Sequence, residues 1–148
     1  MNSSKLRVLL DTTYLLPILG VRVKGVERVI IKLKKLHLSG AAELYCSPYS
    51  FLEALGKISK NRFDEKRVEE GLTSILKSNV FTEALPTTYG YIEALKLKTK
   101  GFRDLIDLLL YSTALTRGLR LLTEDHELKQ FVRRLGGNTS LFLGEEEM

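Results

Sequence analysis

Residues 6–10, Leu6-Arg7-Val8-Leu9-Leu10, form a short apolar run that stops at Asp11. A run this short, ended by a polar residue, predicts a buried strand. Beyond Asp11, helical stripes alternate with further short runs, and that alternation restricts the fold more than any other property. A helical stretch from Thr13 is limited by Pro17 and Gly20. Val26, Val29, Ile30, Leu33 and Leu36 then line one side of a helix that starts near Gly25 and stops at Ser39-Gly40. Residues 42–46 predict a second strand. Ser47 caps the next helix with Pro48 at its first position, and Phe51, Leu52, Leu55 and Ile58 form its apolar face. After a polar turn at 59–66, Val68, Leu72, Ile75 and Leu76 mark another helix, and Asn79-Val80-Phe81 a short strand.

Residues 88–98 read as a helix, and residues 102–117 as the strongest one, stopped by Gly118. Residues 119–122 predict a strand, Asp125 opens a helix through Leu128, Phe131 and Val132, and residues 140–143 predict a last strand. The acidic tail Glu145-Glu146-Glu147 is expected to fray. Strands alternating with helices predict an α/β fold, with a mainly parallel sheet covered by helices on both faces as an α/β/α sandwich. At 148 residues, the whole of 1–148 is expected to be one domain.

Composition narrows the class. No apolar stretch approaches the ~20 residues that span a bilayer. The start, Met1-Asn2-Ser3-Ser4-Lys5, lacks a small-residue cleavage pattern, so a signal peptide is not expected. Cys46 is the only cysteine, which excludes an intramolecular disulfide and a Cys-rich zinc site. The simplest location is the cytoplasm. A net charge of +5 and a pI near 9.3 favour a polyanionic partner.

Acids stand at informative places. Asp11 ends the first strand, and in parallel sheets sites form at the carboxyl ends of strands; Asp is also a favoured helix N-cap. Glu53 closes the capping-box pattern Ser50-Phe51-Leu52-Glu53, but Pro48 moves the helix start earlier and leaves Glu53 mid-helix beside Leu52 and Leu55. Asp104 and Asp107, three apart on one predicted helix, share a face about 60° wide. Asp107 lies among Leu105, Ile106, Leu108, Leu109 and Leu110, where a carboxylate needs a partner or a cation. Asp104 suits the first helical turn. Asp125 follows Thr123-Glu124 and can cap the next helix.

With these residues in place, the chain resembles the PIN-domain family of metal-dependent ribonucleases. The resemblance rests on Asp11-Thr12-Thr13, on Glu53, on Asp107 with Thr113-Ala114-Leu115 and Gly118, and on Leu121-Leu122-Thr123-Glu124-Asp125. It implies a PIN-like α/β fold and an acidic site of Asp11, Glu53, Asp107 and Asp125, with Thr12 and Thr123 nearby. It also implies Mg2+ or Mn2+ as cofactor and hydrolysis of RNA phosphodiester bonds. The three leucines after Asp107 depart from the small residues common in the family, which leaves Asp104 as an extra ligand or a rival to Asp107. Toxin members of toxin–antitoxin pairs belong to this family, so an antitoxin protein and a second copy of the chain are partners open to it.

Lys24, Arg28, Lys32 and Lys35 recur near helical spacing opposite the apolar stripe. They suit an RNA backbone, and equally a plain solvated face. Tyr14 can stack on a base or fill the core. Neither His37 nor His126 is needed for the chemistry. The alternative function is a non-catalytic PIN-like module that binds RNA or protein; it would lack at least one of the four acids. A phospho-acceptor signalling domain expects an acidic pair after strand one and a later Lys, an arrangement this chain does not show.

Overall fold

The computed structural model describes residues 5–77 and 79–148. The opening Met1-Asn2-Ser3-Ser4, where no signal peptide is expected, lies outside the described residues. Four strands form one all-parallel sheet: β1 (Leu6–Leu10), β2 (Ala42–Cys46), β3 (Phe81–Glu83) and β4 (Arg120–Leu122), in the order β3-β2-β1-β4. The helices are α1 (Thr12–Leu15), α2 (Glu27–Leu38), α3 (Pro48–Ile58), α4 (Glu65–Leu76), α5 (Thr88–Thr99), α6 (Leu105–Arg117) and α7 (His126–Arg134). Val8, Leu9 and Leu10 are all buried because a central parallel strand is covered on both faces.

The pleat divides them. Val8 and Leu10 join a core cluster with Leu15, Val29, Leu33, Ala54 and Ile75, from α1 to α4. Leu9 joins the other cluster with Ala94, Leu108, Tyr111, Leu128 and Val132, from α5 to α7. The chain is an α/β/α sandwich. Among the described residues no helix is long and apolar enough to cross a membrane.

The register levels the strand ends. Leu10 pairs with Cys46 on one side and Leu122 on the other. The next residues, Asp11, Ser47 and Thr123, therefore emerge together at the carboxyl edge. β2 and β4 flank β1 on opposite sides, so the chain reverses its winding direction there, which is where parallel sheets open a crevice.

Several expectations change. β3 lies at 81–83 rather than 79–81. Residues 140–143 form no strand; a single parallel bridge joins Leu121 and Phe142. Helix α6 starts at Leu105, because Asp104 is extended (φ −98, ψ 102) and accepts from the Ile106 and Asp107 amides at 3.0 and 3.3 Å. Asp104 is thus an N-cap, and the shared helical face drawn through Asp104 and Asp107 does not exist. Ser47 caps α3 as expected, accepting from the Tyr49 amide at 3.1 Å. Glu53 is accordingly mid-helix. The acidic tail is not frayed: residues 145–147 form a 3-10 turn, with Glu147 on Arg120 at 2.7 Å.

Candidate active site

Asp11 leaves β1 pointing into the crevice and is 7% exposed. Its Oδ1 accepts from the Thr13 amide at 3.0 Å, and its Oδ2 from the Thr123 hydroxyl. Burial raises its pKa to about 6 against the lowering effect of those two donors; the charges of Asp125 and Glu124 add to the rise. Thr123 stands behind Asp11 at the end of β4 and orients it. Its hydroxyl oxygen also accepts from the Asp125 amide at 3.1 Å. Thr12 donates its hydroxyl to Glu53 Oε1, which ties α1 to α3.

Asp107 occupies the first turn of α6, facing Asp125 at the start of α7. Burial pushes Asp107 far above the ordinary carboxylate value, and its hydrogen bond with Asp125 and the charges of Asp104, Asp125 and Asp11 push the same way. Burial acts upward on Asp125 too. There the hydrogen bonds from Asp107, Leu128 and Glu127 win, and its pKa is lowered. The contact between the two carboxyls thus drives their pKa values apart, Asp107 up and Asp125 down.

These side chains wall one cavity of about 280 Å³, lined by Asp11, Thr12, Thr13, Glu53, Lys57, Asp104, Asp107, Glu124 and Asp125. Every acid singled out in the sequence reaches it, although they come from four separate segments. Sequence reasoning did not single out two of the lining residues. Glu124 belongs to the Thr123-Glu124-Asp125 run, and that position between two site residues was its signal. Lys57 lies four residues after Glu53, one helical turn on, and that spacing was the signal for it. A larger cavity of about 480 Å³ lies between α2 and α4, walled by Ile30, Ile31, Leu33 and Phe81. Its apolar lining makes it a poor place for phosphodiester chemistry, so the acidic cavity is the candidate site despite its smaller size.

The basic stripe does not line the acidic cavity. Arg28 and Lys32 instead pair with Glu145, each at 2.9 Å. Tyr14 is not available for stacking: it is 2% exposed and donates its hydroxyl to Glu124 at 2.7 Å. Burial, then this bond, raises its pKa well above the ordinary phenol value.

Asp125 carries a second duty as the N-cap of α7, accepting from the Leu128 amide at 3.1 Å. Asn caps about as well as Asp, whereas Ala commonly costs ~1 kcal/mol. Asp125→Asn is thus expected to melt close to the parent and Asp125→Ala clearly lower. Equal melting temperatures for the two variants would show that the cap contributes nothing.

The PIN domain family matches residues 8–133, most of the chain, and the protein belongs to that family. A comparison with curated protein sequences returns no match. Solved structures share the fold. The VapBC2 complex from Rickettsia felis, bound to a DNA fragment from its promoter, contains a similar chain: TM-score 0.62 and 17% identity, covering 85% of this chain and 93% of that one. VapC20 of Mycobacterium tuberculosis, a sarcin-ricin loop cleaving toxin, gives 0.62 and 14%, covering 89% and 97%. FitAcB from Neisseria gonorrhoeae gives 0.56 and 21%, covering 85% and 93%.

Proposed function

We propose that this PIN-domain protein is a divalent-metal-dependent endoribonuclease and the toxin of a toxin–antitoxin pair. The observation that carries the reading is the convergence of Asp11, Glu53, Asp107 and Asp125 on one cavity at the carboxyl edge of the sheet. The likeness to a toxin that cleaves the sarcin-ricin loop, and to chains solved in VapBC and FitAB complexes, supports RNA as substrate and an antitoxin as partner.

The donor set suits a hard cation. Its acidic members are all carboxylates, and the described lining residues include no thiol or imidazole, which matches Mg2+ or Mn2+. Among the described residues, however, no three such side chains already stand as a group that could hold a metal ion. The same side chains are engaged in internal bonds. Thr123 and Thr13 bond Asp11, Thr12 bonds Glu53, and Asp107 lies against Asp125. Holding a cation there would require Asp107 to be ionised, so affinity would rise with pH. When bound, the cation supplies the positive charge that a phosphodiester needs in an acidic cavity, and it acidifies water for attack.

The chain's own residues do the rest. Asp11, Asp107 and Asp125 would hold the cation, with Glu53 in the same lining, and Asp104 fixes the start of α6. Thr123 orients Asp11. Lys57 places a positive charge in the lining and can pair with a phosphate oxygen. The test is cleavage of single-stranded RNA with Mn2+ and with excess EDTA. Cleavage with Mn2+ that stops in EDTA is expected. Unchanged cleavage in EDTA sinks the metal mechanism, and no cleavage of any RNA favours a non-catalytic binding module.

A further inference from the structure

The sequence marks Arg28 and Lys32 as part of a basic face, yet both are held by an acid from the far end of the chain. Arg28 Nη2 meets Glu145 Oε1 and Lys32 Nζ meets Glu145 Oε2, each at 2.9 Å. Two cations one helical turn apart thus grip the two oxygens of a single anion. The non-bridging oxygens of a phosphodiester present the same pair of acceptors. We propose that Arg28 and Lys32 form a site for a backbone phosphate of RNA, and that the Glu145 carboxylate occupies it in place of that phosphate. The inference rests on the RNA-cleaving reading of the acidic cavity.

Three features make Glu145 a displaceable occupant. Its turn is placed from below: Leu141 and Leu143 are buried, and Met148 packs against the core. The turn is closed by the Gly144 amide on Glu147 Oε2 at 2.8 Å, and Glu147 in turn holds Arg120. Glu145 is therefore delivered to α2 whether or not its own ion pairs form. Those pairs are open to water, with the Arg28 and Lys32 side chains 71% and 48% exposed, and exposed ion pairs are weak and screened by salt. An RNA strand with several phosphates can outcompete one carboxylate that only has to rotate away.

The test measures binding of a fluorescently labelled single-stranded RNA to the protein carrying Asp107→Asn, in EDTA, so that cleavage is suppressed. Glu145→Gln in this background is expected to bind roughly three- to tenfold tighter at low salt. Its salt slope is expected to steepen by about 0.7 to 1.4, as one or two cations become free to meet phosphates. Glu146→Gln is the control. It changes the net charge equally, but its carboxylate turns back over Gly144, and it is expected to leave binding unchanged. Adding Arg28→Gln to Glu145→Gln is expected to erase the gain. Equal affinities for the Glu145→Gln and Glu146→Gln proteins overturn the inference, as does a gain that survives Arg28→Gln. Cleavage by the protein with Asp107 intact is scored separately. Cleavage without the Glu145→Gln gain leaves the function standing and removes this site. A gain without any cleavage keeps the phosphate site and removes the nuclease.

Discussion

Asp107→Asn is expected to cut RNA cleavage roughly a hundredfold or more, while the metal-free protein melts at or above the temperature of its parent. Asp107 faces Asp125 and feels Asp104 and Asp11, so its ionised form is costly in the folded state. Asn keeps the shape and removes the charge. The folded state holds the Asp107 proton far above the ordinary 3.8, so this stabilisation is full below that value and is lost as pH rises toward the folded pKa. Asp11, raised to about 6, acts in the same direction over a narrower window. Asp125, with its lowered pKa, contributes stability that is lost only as pH falls below the ordinary value.

From about pH 5 to about pH 8 the metal-free parent is therefore expected to lose more melting temperature than Asp107→Asn. Mn2+ is expected to raise the melting temperature of the parent more than that of the variant, since a ligand that binds only the folded form stabilises it. Thermal melts at both pH values, with and without Mn2+, decide this. A strongly destabilised Asp107→Asn, with no Mn2+ shift in the parent, would mean that these acids are structural supports.

Gly71→Ala is expected to be among the most damaging single-methyl changes in the molecule. Gly71 sits inside α4 where that helix crosses the turn after α1. A methyl there would lie 2.3 Å from the Ile18 carbonyl oxygen and 3.0 Å from the Leu19 Cα, both backbone atoms that cannot swing aside. Arg67, one turn earlier, donates to the Pro17 and Ile18 carbonyls at 3.1 Å each, so α4 is pinned to the same turn. Overpacking of this kind costs about 1–3 kcal/mol after the gain in helix propensity is set against it. For a chain of this size that lowers the melting temperature by roughly 2–4 °C per kcal/mol.

Gly56 in α3 is the opposite case, with nothing within 4 Å of an added methyl. Gly56→Ala is expected to stabilise by about 0.5–1 kcal/mol. Melts of the two variants side by side check the argument. The close-approach account fails if Gly71→Ala is as stable as Gly56→Ala.

The sequence by itself determined the alternation of strands and helices, and with it a parallel sheet covered on both faces. Hydrophobic periodicity is a local property, set by the repeat of each element, so Leu6 to Leu10 and the Val29–Leu33 stripe announce their burial without reference to the rest of the chain. The same locality explains the acids. Asp11 and Asp125 are legible because each directly follows a strand or begins a helix. Locality also explains the errors. Asp104 reads as part of α6 because nothing in a linear pattern separates a first-turn acid from a cap, whereas the extended backbone at Asp104 does.

Tertiary structure alone decided which side chains meet. Thr123 bonds Asp11 across 112 residues, and Glu145 covers Arg28 across 117. Those meetings depend on strand order and register, which bring the ends of β1 and β4 level and carry the segment after β4 back over α2. Glu124, Lys57 and Gly71 acquire their meaning from the same long-range geometry. No local signal records it, because the free energy that selects the strand order comes from burying whole faces and not from the few polar residues at their edge.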